Sequence, residues 1–559
     1  MATGKTYRGY FAIANQYAFD VESGKILACK YVKQACQRHL NDLRRVDFEY
    51  GFSPELANRA CKFIELLQHI KGKWANSRII LEPWQIFIVC SIFGWVHKEK
   101  LIRRFKTAYI CVPRKNAKST LAAGIALYMA FVDGEEGAEV YSAATTREQA
   151  KIVWEVAKKM AEKAKGLKIR FGVETFAHTI FSKTTSSFFK SLSRDSGGNL
   201  DGLNVHCAII DELHAHKTRD IYDVLETATG ARSQPLLFLI TTAGFNRAGI
   251  CFEIQTYVDR ILSGANTDEQ FFGIIYTIDD GDDWQSVESW QKANPNWGVS
   301  VSEEDVERKA VKAMQIASAQ NNFLTKHLNV WVDADTAWMS MDSWRKCASE
   351  QIKFNTISGC DIYIAFDLSS RLDFTSLAVV FKMPGGKTGL VTRHYIPEDT
   401  ANESEIAQLQ TWIADGWAVA TQGNKTDYAA IEADILELCA RNRVIDVGFD
   451  TWQSNYLSTR LQEAGMPMTG VPMTVKYLSE PMKEIEAMVQ TGGILHEGNP
   501  VLDWMVSCVV CHQDARGNLY PRKEKTPQSK IDGAVAMIMA VGRMIAPQDA
   551  EITDLFLEL

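Results

Sequence analysis

The sequence predicts an α/β fold in two parts: an N-terminal doubly wound parallel sheet and a C-terminal α/β domain that opens on a hairpin. Three observations carry this. An apolar run passes through a polar turn into an Ala-rich helical pattern at Tyr109-Ile-Cys-Val-Pro-Arg-Lys-Asn-Ala-Lys-Ser-Thr-Leu-Ala-Ala-Gly-Ile-Ala-Leu-Tyr128. Across 105–245, further apolar strand patterns alternate with helical ones, as crossover connections of a parallel sheet require. At Tyr363–Val380, two apolar runs flank a polar turn, the pattern of a β-hairpin.

The bulk properties bound the rest. A chain of 559 residues exceeds what one core supports. At 46% hydrophobic, 23% charged and net charge −7, the composition is that of a globular protein with no global field drawing it onto nucleic acid. Any DNA contact is then expected from local patches such as Arg103-Arg104-Phe-Lys106, Arg441-Asn-Arg443 or Arg522-Lys523-Glu-Lys525, each of which also reads as an ordinary solvated face. Twelve cysteines without regular spacing argue against a disulfide framework and for a reducing compartment. Cys508-Val-Val-Cys511-His512 matches a haem-attachment pattern, but the N-terminus shows no apolar export segment, so it reads as part of a buried stretch. Trp84–Val96 and Ala534–Val541 are the longest apolar runs and fall short of the ~20 residues that span a bilayer. A cytoplasmic protein with no membrane partner is expected.

Taken in order, residues 1–75 read as a helical N-terminal segment, with apolar residues at three- and four-residue spacing in Ile26–Leu43 and Pro54–Ile70. Leu81-Glu-Pro-Trp-Gln-Ile-Phe-Ile88 starts a helix at its Pro. It sets Gln85, an amide able to read an adenine edge, just upstream of the turn at 113–117; an amphipathic core helix fits equally well. The strand–turn–helix at 109–128 has the order of a phosphate-binding loop, in which N–H groups at a helix start cradle a polyphosphate. Val112 and Ala117 replace the two glycines of the usual G-x-x-x-x-G-K-[ST] pattern. Lys118 would reach the β/γ-phosphates and Ser119 would ligate Mg²⁺. Because a left-handed turn disfavours a Cβ, Ala117 is expected to keep the turn only at negative φ, with weaker nucleotide affinity.

Downstream, Val140–Lys151 reads as a strand ending in a helix cap at Thr145 or Thr146, with Glu148 and Gln149 in the first turn. Asn204-Val-His-Cys-Ala-Ile-Ile-Asp-Glu-Leu-His214 is a strand ending in Asp211-Glu212, at the tip where open α/β sheets bind ligands. There Asp211 suits a Mg²⁺ shell, and Glu212 suits orienting and deprotonating a water. A third strand, Pro235–Gly244, ends in Thr241 and Thr242, placed to sense a γ-phosphate. The first domain is expected over 76–335, with a mostly helical lid at 250–330 carrying Trp284, Trp290 and Trp297, and a linker at 336–355.

The second domain, 356–559, holds Asp367 at the end of the first hairpin strand. Asp450 ends the strand Val444–Asp450, and Asp532 starts a small-residue helix in Ser529–Ala540. Three carboxylates of this kind can converge on two hard cations, Mg²⁺ or Mn²⁺, about 4 Å apart, which suits phosphodiester cleavage. Asp373, Asp427, Asp446 and His512 are further candidates for the same site.

Together these segments resemble the large terminase subunit of tailed bacteriophages. The motifs are Pro83-Trp-Gln85, Arg114-Lys-Asn-Ala-Lys-Ser-Thr120, Asp201-Gly-Leu-Asn204, Ile209-Ile-Asp-Glu-Leu-His-Ala-His216, Thr241-Thr-Ala-Gly244, Asp367-Leu-Ser, Phe449-Asp450 and Lys530-Ile-Asp-Gly533. The resemblance implies a P-loop ATPase that translocates double-stranded DNA into a procapsid, followed by a ribonuclease H-like endonuclease that cuts concatemers. It implies ATP and Mg²⁺ at Lys115, Asn116, Ala117, Lys118, Ser119 and Thr120. Arg114 looks like the arginine that stabilises transition-state charge, unless a neighbouring subunit supplies it. Asp211 and Glu212 look like the second metal motif and the catalytic base, and Thr241-Thr242 like the motif coupling hydrolysis to DNA movement. Asp367, Asp450 and Asp532 look like the nuclease metal ligands. A small terminase subunit, a portal or procapsid, and a homo-oligomeric ring are the implied partners. A P-loop helicase or remodelling ATPase with a non-catalytic DNA-binding second domain stands as the alternative; a scaffold retaining a decayed loop is a third.

Overall fold

The computed structural model describes residues 9–546 apart from 146, 193–201, 217, 248, 333–337, 369–372, 405, 407, 452–454, 514–516 and 524–528. Among the expectations above, Thr146, Asp201, Ser369 and Lys525 lie outside the described residues, as does the side chain of Glu148. The chain forms two compact units, residues 1–314 with 322–332, and residues 315–321 with 333–559.

In the first unit, β1 (Tyr50–Phe52) pairs antiparallel with β2 (Trp95–His97) beside the helices Tyr10–Glu22, Lys30–Asp42 and Pro54–Leu66. The main sheet comprises β3 (Thr107–Cys111), β4 (Glu139–Ala143), β5 (Val173–Thr175), β6 (Thr179–Ser182), β7 (Phe188–Leu192), β8 (Val205–Asp211), β9 (Leu236–Thr241) and β10 (Phe271–Ile275), in the order β10-β3-β9-β8-β4-β7-β6-β5. Six neighbouring strands, β10 through β7, run parallel. The central strands β8 and β9 are buried at every position, which is why they read as continuous apolar runs rather than alternating ones. The helix Lys118–Phe131 lies in this core; at its Gly124 a Cβ would stand 3.1 Å from Ile64.

Two details of this unit depart from the sequence reading. Phe271–Ile275 lies within the segment expected to be a helical lid, yet forms the edge strand β10 beside β3. The remainder, with helices Val287–Ala293, Glu303–Gln315 and Ala317–His327, gathers its own core around Trp290, Val306 and Phe323. Arg103 and Arg104, expected as a basic patch, are buried: Arg103 pairs with Asp133 at 3.0 Å and Arg104 with Asp42 at 2.7 Å and with Glu269. A guanidinium needs carboxylates once it leaves water, so these two residues hold the core and present no face to DNA.

In the second unit, β11 (Asp361–Asp367), β12 (Thr375–Lys382) and β13 (Thr388–Pro397) are antiparallel neighbours, so the expected hairpin is present. β14 (Ala418–Thr421) and β17 (Ile494–His496) pair parallel with β13, while β15 (Arg443–Asp450) and β16 (Met468–Val471) continue parallel from β11. The run β13-β12-β11-β15-β16 is the ribonuclease H-like arrangement: three antiparallel strands, then two parallel to the first. β18 (Val509–Gln513) and β19 (Leu519–Lys523) form a separate hairpin. The helix Asp532–Ile545 is buried along most of its length and approaches closely because its face is small: a Cβ at Gly533 would meet His394 Cε1 at 2.6 Å and Met505 Sδ at 2.8 Å. The expected linker is in good part core. Trp338 and Trp344 are buried, and Trp344 stacks on His496 at 4.2 Å and donates its indole N–H to Asp503 at 2.7 Å. None of the twelve cysteines forms a disulfide, and Cys508-Val-Val-Cys511 runs from a helix end into β18. Among the described residues no helix is long and apolar enough to cross a membrane.

Candidate active sites

Strand register builds the first site. β9 lies between β3 and β8, with Cys111 opposite Thr241 and Asp211 opposite Ile240. Residues 112–117, Asp211-Glu212 and Thr241-Thr242 therefore leave the sheet together at one edge, where parallel sheets place ligands. Lys118 opens the helix and is buried, its Nζ donating to the Val112 carbonyl at 3.0 Å. Burial lowers the pKa of this ammonium, with Glu212 and Asp211 acting in the opposite sense. Ser119 and Thr120 stand half-buried in the first turn, among N–H groups that a helix start leaves without intrahelical partners.

The two carboxylates diverge. Burial, reinforced by Glu212, pushes Asp211 up to about 7 against the pull of Lys118. Burial would also raise Glu212, but the His214 ring, Lys118 and Arg114 outweigh it and hold Glu212 at about 2. Glu212 thus remains an ionised acceptor within a buried pair. It is also held in the left-handed region, at φ 52 and ψ 48, with its N–H donating to the Ile240 carbonyl at 2.9 Å and to Asp211 at 2.9 Å. A non-glycine residue there costs about 1–3 kcal/mol, a form of strain that collects at functional positions.

The loop keeps its turn in a way the sequence reading did not foresee. Ala117 sits at φ 56 and Lys115 at φ 71, so the missing glycine is replaced by an alanine in the left-handed conformation rather than by one at negative φ. Between them Asn116 is fully buried, while Arg114 and Lys115 are exposed. Gln85, expected at an adenine edge, is also buried; its side-chain oxygen accepts the Glu82 N–H at 3.0 Å and completes a capping box. The oxygen needed for a bidentate contact with a base is thus engaged at a helix start, where the first N–H groups need acceptors. Thr145 stands before the helix Arg147–Lys163, donating to Gln149 at 2.5 Å.

One residue that the sequence reading left without a role is His214. Its backbone N–H donates to Thr241 Oγ1 at 3.0 Å, and its Nδ1 lies 3.1 Å from Thr241 Oγ1 and 3.3 Å from Thr242 Oγ1. The available signal was its place two residues after Glu212.

In the second unit, β11 and β15 run parallel with Phe366 opposite Phe449, so Asp367 and Asp450 are one step further on adjacent strands. The helix carrying Asp532 at its first position packs on that sheet. Burial, then the charges of Asp532, Asp450 and Asp373, drive Asp367 well above the carboxylate range. Burial and Asp373 push Asp532 up to about 7, with Lys530 and Lys523 opposing. All three expected aspartates, with Asp373 as a fourth, therefore share one electrostatic neighbourhood, although among the described residues no three side chains form a finished metal cage. Asp373 is paired with Lys530, and lies 3.6 Å from Lys523. This crowd of carboxylates fits a hard divalent cation, since such a set is repulsive by itself and offers only oxygen donors. The remaining candidates have other jobs: Asp427 caps a helix by accepting the Ala429 N–H at 2.9 Å, Asp446 pairs with Arg543, and His512 is exposed on β18.

Comparison with known proteins matches residues 83–260 to the family model "Terminase large subunit, ATPase domain" and residues 265–548 to "Terminase large subunit, endonuclease domain". The chain is 35% identical over 381 residues to Protein YmfN of Escherichia coli (strain K12), covering 65% of this chain and 83% of the relative. It is 28% identical over 493 residues to "Terminase, large subunit" of Enterobacteria phage HK97, covering 87% and 94%. Among solved structures, the HK97 bacteriophage large terminase matches at 27% identity over 87% of this chain and 99% of that one, with a TM-score of 0.43. The large terminase of a thermophilic bacteriophage matches at 11% identity over 79% and 94%, with a TM-score of 0.31.

Proposed function

The chain belongs to the terminase large subunit family, and from that premise we propose how its residues divide the work of a DNA-packaging motor. It is an ATPase and an endonuclease in one polypeptide, acting on DNA with a nucleotide and divalent metal. We assign the ATPase to 76–335 and the nuclease to 356–559.

In the first site the nucleotide is ATP, and its Mg²⁺ is held by Ser119 and Asp211. The N–H groups of Lys115, Asn116, Ala117 and Thr120 line the phosphates, and Lys118 exchanges the Val112 carbonyl for the β/γ-phosphates. Glu212 orients a water and takes up its proton on the carboxylate as the water attacks the γ-phosphorus. Arg114 neutralises charge on the transferring group. Thr241 and Thr242 sense the γ-phosphate and pass its loss to the DNA-moving parts.

In the second site Asp367, Asp450 and Asp532 hold two ions, Mg²⁺ or Mn²⁺. Bound divalent cations supply Lewis-acid charge beside the scissile phosphate. The protein's own part is to hold acceptors on two adjacent strands and one helix start, so that a phosphodiester is oriented for cleavage. Double-stranded DNA, a small terminase subunit and a portal on a procapsid are the partners, in the host cytoplasm. A ring of copies offsets an acidic surface by multiplying weak phosphate contacts.

The observation that carries this reading is the gathering of carboxylates at two places, Asp211 and Glu212 at the tip of β8 beside Lys118, and Asp367 and Asp450 at the tips of β11 and β15 with Asp532 at the start of the helix packed on them. The test crosses the two. Lys118→Ala is expected to abolish DNA-stimulated ATPase while leaving Mn²⁺-dependent nicking of plasmid, and Asp367→Asn to do the reverse. Strand separation on a forked duplex, with no cleavage in Mn²⁺, would instead establish a helicase.

A further inference from the structure

We propose that Asn294 and Ser300 are positioning residues that hold the phosphate-binding loop in its left-handed shape, doing from outside the loop what its missing glycine does elsewhere. The inference rests on the ATPase reading of that loop. Lys115 and Ala117 both carry positive φ, 71 and 56, which side chains with a Cβ adopt reluctantly. Left to themselves, residues 114–117 would relax toward ordinary backbone and turn their N–H groups off the phosphates. Something must over-determine the turn.

The restraint is a set of buried amides. Between the two left-handed residues, Asn116 Nδ2 donates to the Pro113 carbonyl at 3.2 Å and to Asn294 Oδ1 at 2.9 Å, while its Oδ1 accepts the Asn296 N–H at 3.0 Å. Asn294 is itself fixed, its Nδ2 donating to the carbonyls of Trp290 at 2.9 Å and His327 at 2.8 Å. On the other side, Ser300 Oγ donates to the Lys115 carbonyl at 2.5 Å and accepts from Asn296 Nδ2 at 2.9 Å. Asn296 Oδ1 accepts the Trp84 indole N–H at 2.6 Å. The chain before the loop and the helical segment after it are thus tied through one asparagine. Both left-handed residues are gripped: Lys115 by its own carbonyl, Ala117 through its neighbour Asn116.

A loop held this way binds phosphates in the ground state and the transition state alike, so loosening it should weaken binding and leave turnover nearly intact. The experiment measures ATP KM and kcat, and the Kd of a fluorescent ATP derivative, on the full chain. Asn294→Ala, which leaves Asn116 Nδ2 only the carbonyls of Pro113 and Arg114 within its own loop, is expected to raise KM and Kd about tenfold with kcat within about threefold. Ser300→Ala is expected to raise them about threefold, and Ser300→Thr, which keeps the hydroxyl, to leave them unchanged. In an Ala117→Gly background the Asn294→Ala loss should shrink below about twofold, because glycine takes the left-handed turn at 117 without restraint, whereas the Ser300→Ala loss, which acts through Lys115, should persist. An Asn294→Ala loss equal in both backgrounds, or unchanged KM and Kd in the Ala117 background, would overturn the proposal. Should Asn294→Ala fail to fold, shown by loss of Mn²⁺-dependent nicking as well, the exposed-side Ser300 pair decides alone. A wild-type chain that binds the derivative but never hydrolyses ATP would sink the ATPase reading while leaving the clamp to stand or fall on Kd.

Discussion

His214 Nδ1 lies 3.2 Å from Glu212 Oε2, and the same nitrogen lies 3.1 Å from Thr241 Oγ1. One ring therefore spans the acidic tip of β8 and the hydroxyl tip of β9. A change in where Thr241 and Thr242 sit must be felt by the carboxylate that we assign to water activation, and the reverse holds too.

Glu212→Gln should lower ATPase kcat by about 10²–10⁴-fold, the usual worth of a general base, with little change in KM. His214→Ala should give a smaller loss in kcat, about tenfold, since it removes the brace and leaves the base. Steady-state kinetics of both variants check this; a larger loss in His214→Ala than in Glu212→Gln would make the histidine the base.

Gly533→Ala should silence the nuclease while sparing the ATPase. The added Cβ would stand 2.6 Å from His394 Cε1 and 2.8 Å from Met505 Sδ, so the helix start carrying Asp532 must move. Overpacking of this kind costs about 1–3 kcal/mol. Plasmid nicking and thermal melting read the two effects separately.

The second unit should lose stability in mild acid. His394 is fully buried with Ser376 Oγ 2.9 Å from Nδ1 and Thr392 Oγ1 3.1 Å from Nε2, and burial drives its pKa down to about 3. A depressed histidine favours the folded state fully above its unfolded value near 6.5, and that contribution falls as pH drops from there toward 3. The slope is at most ~1.4 kcal/mol per pH unit. Denaturant unfolding of wild type and His394→Gln between about pH 7 and 5 tests it: the variant should show the shallower dependence.

Arg104→Met should destabilise the first unit by less than the about 3–5 kcal/mol of a buried pair broken outright, because Asp42 and Glu269 lose their buried partner yet keep Arg45 at 3.2 and 2.8 Å. Its DNA affinity, measured at a temperature where it stays folded, should match wild type; a drop with unchanged melting would return this arginine to the DNA-binding surface.

Much of this molecule was legible in its residues because local chemistry and strand order coincide. Lys118-Ser119, Asp211-Glu212 and Thr241-Thr242 each end or follow a continuous apolar run, and a parallel sheet brings such tips to one edge whatever the details. The hairpin at 363–380 was equally plain. What the pattern did not reveal was side-chain partnership. Arg103 and Arg104 look like a surface patch until Asp42, Asp133 and Glu269, distant in sequence, arrive beside them. Gln85 looks like a base reader until Glu82 claims its oxygen. Phe271–Ile275 is too short to tell from its helical surroundings until it lies against β3.

By itself, the sequence determined the two-part α/β fold and the family, and it singled out the carboxylates and lysine that we assign to the chemistry, since these depend on residue type and on hydrophobic period. Only the tertiary structure decided that Ala117 would take a left-handed turn, that Asn116 would be gripped from residues 294–300, that His214 would bridge two strand tips, and that Asp373 would join the second cluster. Those outcomes turn on which buried polar groups find partners across long loops, and that is settled by packing in three dimensions.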